Sequence, residues 1–405
     1  MMLRIVVAPS GFKESLSAEE VAEAIAGGVR RVVPDAAIDT VPLIDGGEGT
    51  AESLARTTGG RLVPRVTTGP TGKPVRSHFA ITGGSGPRTA VVEMAATAGL
   101  RLVPGDERDP GRTTTYGVGE LITAALDAGA RRILVGCGDS GTSDGGAGAL
   151  QALGARLLDA GGDELPRGGA ALARLHRIDP TGLDPRLPET EILVACNPFN
   201  VLCGESGVAR VFGPQKGATP EQVELLDQAL SRWADVLERD MGVKDIDIRT
   251  GPGTGASGGL GAGLAALGAR LLPRFDVLLD YVDLDRLLAR CDLVFTAEGA
   301  IDFQTSRGKI PAEVARRAKR YDKPVLALAG TIGVNAHLAY DCGIDAFTSI
   351  LPAPVALAEA MSRGAEFLSD GAERALRVLL LGTSLTLAAR ERLAHWPGRR
   401  VALDL

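Results

Sequence analysis

The chain reads as an α/β protein of two domains. One is built on a parallel sheet drawn from both chain ends, and the other is inserted in the middle. Three observations lead there. Strand, loop and helix alternate in the opening residues. The rhythm breaks over 64–90, which are rich in Pro, Gly and Thr and alternate poorly. It returns from about residue 288. Repeated βα units give parallel strands joined by right-handed crossovers. The two ends therefore form one Rossmann/flavodoxin-like domain, 1–66 with 288–405, and 67–287 form the inserted α/β domain.

The elements follow in order. LRIVVA is a short β-rich run, a first strand rather than a signal peptide. SLSAEEVAEAIAGGVRRV is a helix: Ser17 and Glu20 form a capping box, and Val21, Ile25 and Val29 share one face. AIDTVPLI is a strand, DGGEGT a tight turn, and AESLARTTGG a helix that stops at glycines. Residues 64–90 suit antiparallel hairpins, and TAVVEMA a strand. TTTYGVGELITAALDAGA is a helix, RRILVGC a strand, and DGGAGALQALGARLL a helix. Residues 159–190 are irregular, and EILVACN is a strand. A Gly/Pro loop leads into a long helix ending at ALSRWADVLERDM. GPGTGASGGLGAGLAALGARL opens on glycines and continues as a helix of small residues. CDLVFTAEG is a strand, AIDFQTSRGK a loop, and IPAEVARRAKRY a helix with Pro311 in its first turn. KPVLALAG and IDAFTSI are strands, and the last helices run through 355–395.

Composition excludes several classes. A net charge of -6 supplies no basic field for nucleic acid. No apolar run approaches the ~20 residues of a membrane span. Cys137, Cys196, Cys203, Cys291 and Cys342 are odd in number, scattered and without a CxxC pair. Neither a disulfide framework nor a structural zinc is expected, which points to the cytoplasm. The histidines are isolated, with no partner at metal-ligand spacing.

In open parallel sheets, ligands lie beyond the carboxyl ends of the strands, so the loops after strands are the candidates. PSGFKES carries Ser10 and Lys13 before a capped helix, where amides and a cation suit an anion. IDGGEGT sets Asp45 and Glu48 around Gly46 and Gly47, a pair that could serve Mg2+ or a substrate hydroxyl. GCGDSG, 136–141, matches G-x-G-x-x-G, with Asp159 about 20 residues on. Yet Asp139 would sit in the pyrophosphate cradle and repel it. A small polar substrate at Ser140, Thr142 and Asp144 fits better than NAD. GPGTGASGG repeats that spacing with no clear strand before it. TAEGAIDFQTSRGKIP gathers Glu298, Asp302, Arg307 and Lys309, which suits phosphoryl transfer with its need for Mg2+ ligands, a carboxylate base and cations. FGPQKGAT brings Lys216, and NPFN brings Asn197 for a substrate hydroxyl. No G-x-x-x-x-G-K-[ST] occurs, so a P-loop kinase is excluded. An NAD-dependent hydroxy-acid dehydrogenase and a metabolite-binding protein are the alternatives.

APSGFKESLSAEE, DGGEGT, TTTYGVGELI, GTSDGGAGALQALGA, NPFNVLCGESGVARVFGPQKGAT, PGTGASGGLGAGL and EGAIDFQTSRGK occur in this order to about residue 380. The series resembles the type-1 glycerate kinase family. That resemblance implies ATP- and Mg2+-dependent phosphorylation of D-glycerate, usually at the 2-hydroxyl, in a cleft between two α/β domains. It implies Lys13, Arg307 and Lys309 as phosphate or carboxylate partners. Asp45, Glu48 and Asp302 become the candidates for the base and for metal ligation, Glu48 and Asp302 foremost for the metal. Ser10, Gly46, Gly47, Ser140, Asp144 and Asn197 would line the substrate. Three departures stand out: Ala300 after EG, the extra acid Asp139, and the longer NPFNVLCG. The tail beyond 380 has no counterpart, and the oligomeric state, monomer or homodimer, is open.

Overall fold

A computed structural model describes residues 2–12 and 15–382, the Asp280 side chain excepted. The chain divides into two compact units, Met1–Leu43 with Leu284–Leu405, and Ile44–Asp283. These crossings differ from the expected 66/67 and 287/288. Residues 50–66 lie with the second unit because the Thr50–Thr58 helix and the strand after it pack on that unit's sheet.

The strands are β1 (Arg4–Val7), β2 (Ala37–Thr40), β3 (Arg61–Thr68), β4 (Pro74–Ile81), β5 (Thr89–Glu93), β6 (Arg132–Gly136), β7 (Arg156–Leu158), β8 (Arg177–Asp179), β9 (Glu191–Cys196), β10 (Arg270–Pro273), β11 (Leu293–Ile301), β12 (Val325–Ile332) and β13 (Ala346–Ser349). In the first unit, five of them form one parallel sheet in the order β2-β1-β11-β12-β13. Counted within the unit this is 2-1-3-4-5, the flavodoxin-like order, whose direction reverses between β1 and β11. Ile5, Val7, Phe295 and Leu328 carry its core. The Ala18–Val32 helix has the expected capping box: Ser17 Oγ accepts from Glu20 N, and Glu20 Oε2 accepts from Ser17 N. That helix crosses Gly364–Leu381 so closely that a Cβ on Gly28 would lie 2.1 Å from Ser369 O. Ser369 Oγ donates to Ala24 O across the crossing.

The second unit holds a six-stranded mixed sheet, β10-β9-β6-β5-β4-β3. The Pro/Gly/Thr segment forms its antiparallel side, β3 on β4 on β5, and the remaining strands run parallel. The helix after the Gly-rich loop is shorter than expected. It spans Ala147–Ala152, Gly154 turns the chain at φ 106°, and Arg156–Leu158 pairs with β8 instead. The long helix Pro220–Met241 buries Leu226, Leu230, Trp233 and Leu237 along one face, the 3.6-residue spacing at work. All five cysteines are buried and free. Among the described residues, no helix is long and apolar enough to cross a membrane. The expected helix beyond 382 lies outside the described residues.

Candidate functional site

In the first unit the strand-order reversal juxtaposes the loops after β1 and β11, the crevice position for ligands in such sheets. Ser10 joins them: its N and its Oγ both donate to Ala297 O, each at 2.9 Å. Lys13, in the same loop, lies outside the described residues. On the β11 side, Lys309 Nζ lies 3.0 Å from Glu298 Oε1, both groups mostly buried. Asp302 Oδ1 accepts from Gln304 N at 2.8 Å, which fixes the carboxyl at the turn. Its Oδ2 receives no hydrogen bond from the described residues. Arg307 is exposed, with its guanidinium 5.6 Å from the Phe303 ring centre. Gly308 at φ 87° ends the short turn, and Ile310 with Pro311 opens the next helix.

In the second unit the IDGG turn lies against the end of β6. A Cβ on Gly138 would fall 2.6 Å from Gly47 Cα, so backbone meets backbone there. This close approach brings acids together. Asp45 Oδ1 accepts from Gly47 N at 3.1 Å, and Asp139 Oδ2 accepts from Glu48 N at 3.4 Å. Asp139 adopts φ 49°, a left-handed conformation unusual outside glycine. Two arginines answer the acids: Arg101 lies 2.8 Å from Glu48, and Arg274 lies 3.3 Å from Asp45. Asn197 closes an Asx turn by accepting from Phe199 N.

The Gly-rich loop gives Asp144 a task other than the expected contact with substrate. Its side chain is fully buried. Thr115 N and Thr115 Oγ1 donate to Oδ2 at 2.8 and 3.0 Å, joined by Gly148 N, while Gly146 N donates to Oδ1. One carboxylate thus ties together the starts of the helices Tyr116–Asp127 and Ala147–Ala152. Burial pushes its carboxyl up, and those hydrogen bonds pull it back.

Lys216 is also fully enclosed, at 2% exposure, although FGPQKGAT gave only a weak sequence signal. Its Nζ donates to Ser140 Oγ at 3.0 Å and to Thr142 O at 2.5 Å. Asp139, Lys216 and the two arginines are what the sequence reading missed or underweighted. For Lys216, a lysine between two glycines at the entry to a long helix was the available signal.

Among the described residues no cluster of three or more His, Cys, Asp or Glu side chains is placed to hold a metal. Mg2+ beside phosphates needs fewer, one or two carboxylates. Asp302, with one oxygen fixed and the other receiving no hydrogen bond from the described residues, could serve as such a ligand. Glu48, the other expected metal ligand, forms an exposed ion pair with Arg101.

A flavodoxin-like sheet with acid and cation loops at its reversal, and no P-loop, describes a class of α/β phosphotransferases. Comparison with known proteins is specific. The Glycerate kinase family profile matches residues 5–380. The chain is 49% identical to the glycerate kinase of Bacillus subtilis (strain 168), covering 90% of this chain and 95% of that protein. It is 46% identical to the glycerate 2-kinase of Escherichia coli (strain K12), covering 90% and 94%. A crystal structure from Salmonella typhimurium LT2, described as a candidate glycerate kinase 2, superposes with a TM-score of 0.78 at 45% identity, covering 95% of this chain and all of that one. The chain belongs to the glycerate kinase family.

Proposed function

We propose that this enzyme transfers the γ-phosphoryl group of ATP to the 2-hydroxyl of D-glycerate, giving 2-phosphoglycerate, with Mg2+ and in the cytoplasm. The observation that carries the reading is the β1/β11 reversal, where the Ser10 loop adjoins the loop of Asp302, Arg307 and Lys309 in a chain of this family. Phosphoryl transfer asks a protein mainly for positioning and for charge placed where charge develops. Lys309, held by Glu298, and Arg307 supply cations, with Lys13 of the neighbouring loop as a third. Asp302 would hold Mg2+, which supplies neutralisation of phosphate charge when bound. Asp45 and Glu48 remain the candidates for the base on the glycerate hydroxyl, and Ser140 and Asn197 for its polar contacts. Gly46 and Gly47 let backbone come close to so small a substrate.

The test is to incubate the protein with D-glycerate, ATP and Mg2+, follow ADP release, and offer the product to enolase without a mutase. ADP release with an enolase-competent product supports the reading. Release without it moves the phosphate to the 3-position, and no release removes the kinase reading.

A further inference from the structure

Lys216 is a buried cation to which the reading above gives no task. An ammonium has three N–H donors. Two go to Ser140 Oγ and Thr142 O, both on the Gly-rich loop. Ser140 is only half-buried and so stands between the enclosed lysine and the loop surface. A hydroxyl that accepts from an ammonium on one lone pair must turn its own proton elsewhere. No described protein group accepts that proton. The loop carries two more buried hydroxyls, Thr142 Oγ1 and Ser143 Oγ, without a hydrogen-bond partner among the described residues. Unpaired buried polar atoms are costly and call for an explanation.

We propose that Lys216 is a positioning residue of the substrate site: it holds Ser140 with its hydroxyl proton turned outward, as a donor to the carboxylate of the hydroxy-acid substrate. The inference rests on the kinase reading above and deepens it. A charge-assisted contact makes Ser140 a stronger donor than a lone serine. Burial supports a switchable version of this, since it pushes the ammonium down to about 7 while Asp144 draws it partly back. Asp144 acts on it from the same loop. Arg108 packs at the neighbouring Gly217, and Arg210, on the Val208–Phe212 helix, is engaged by Glu224 and Asp227. Below about pH 7 the ammonium polarises Ser140, and above it the neutral amine does so weakly.

The experiment measures KM for glycerate, KM for ATP and kcat from pH 6 to 8.5 in the wild type, Ser140→Ala, Lys216→Met and the double variant. In the wild type the glycerate KM should rise across neutrality while the ATP KM holds. Ser140→Ala should raise the glycerate KM about tenfold at pH 6, the worth of one charge-assisted hydrogen bond, and should lose the pH step. Lys216→Met should do the same, and the double variant no more than either. If Lys216→Met fails to fold, the Ser140→Ala profile decides alone. A pH step that survives in Ser140→Ala overturns the proposal, and so does an effect on the ATP KM in place of the glycerate KM. Turnover in the wild type with either result leaves the kinase reading standing. No turnover at any pH removes that reading and the proposal with it.

Discussion

Asp144 Oδ2 and Thr115 N lie 2.8 Å apart and fasten the starts of two helices that are distant in sequence. Four donors converge on that buried carboxylate, so its removal strands several of them at once. Asp144→Ala should cost about 3 kcal/mol or more, since each unpaired buried donor carries roughly 1–3 kcal/mol. Urea unfolding followed by circular dichroism measures it. A loss below about 1 kcal/mol would return Asp144 to the substrate.

Lys216 gives a pH signature in stability as well as in kinetics. Its folded value, about 7, lies below the ~10.4 of an unfolded lysine. Between those values the unfolded chain holds a proton that the native one lacks, so stability rises with pH there. As pH falls below about 7 both states are protonated, and the full penalty of the buried charge is felt. The difference in unfolding free energy between wild type and Lys216→Met, taken at pH 7, 8 and 9, should therefore shift in favour of the wild type, by up to ~1.4 kcal/mol per pH unit. A flat difference would mean that the native lysine keeps an ordinary affinity for its proton.

Gly258 is left-handed at φ 71°, and a Cβ there would lie 2.0 Å from Thr142 O, the atom that accepts from Lys216. Gly258→Ala should displace the Gly-rich loop. We expect a melting temperature lowered by several degrees and a raised glycerate KM. An unchanged KM would detach this loop from substrate binding.

Asp302→Asn keeps the acceptor for Gln304 N but loses the charge proposed to hold Mg2+. Turnover should fall by orders of magnitude with the circular dichroism spectrum unchanged. Lys309→Met should lower kcat as well and remove the ammonium 3.0 Å from Glu298. Near-normal activity in either variant would take that residue out of the phosphate site.

Ser17→Ala removes an N-cap whose partner Glu20 lies one turn on, and should cost about 1 kcal/mol without touching turnover. A loss of turnover at unchanged stability would give the β1 loop a second function.

What was legible in the sequence was local. The capping box, the glycine stop after Thr58, Pro311 in a first turn and the long helix that ends at Met241 depend on neighbours within about four residues, and each stands in the structure. So does the βα rhythm that assigned both chain ends to one parallel sheet. The helix expected to continue through ARLL failed because strand pairing with Arg177–Asp179 outweighed local helical periodicity.

The sequence by itself determined most of the elements, the pairing of chain ends and the family, because propensity, capping and motif order are written along the chain. Only the tertiary structure decided what the buried charges do. Asp144 and Lys216 look like any acid and base in glycine-rich loops. One became a buried tie between two helix starts and the other a cation beneath Ser140 when packing removed them from water. Desolvation makes a charge depend on partners up to 76 residues away, and no local pattern records which partners those are.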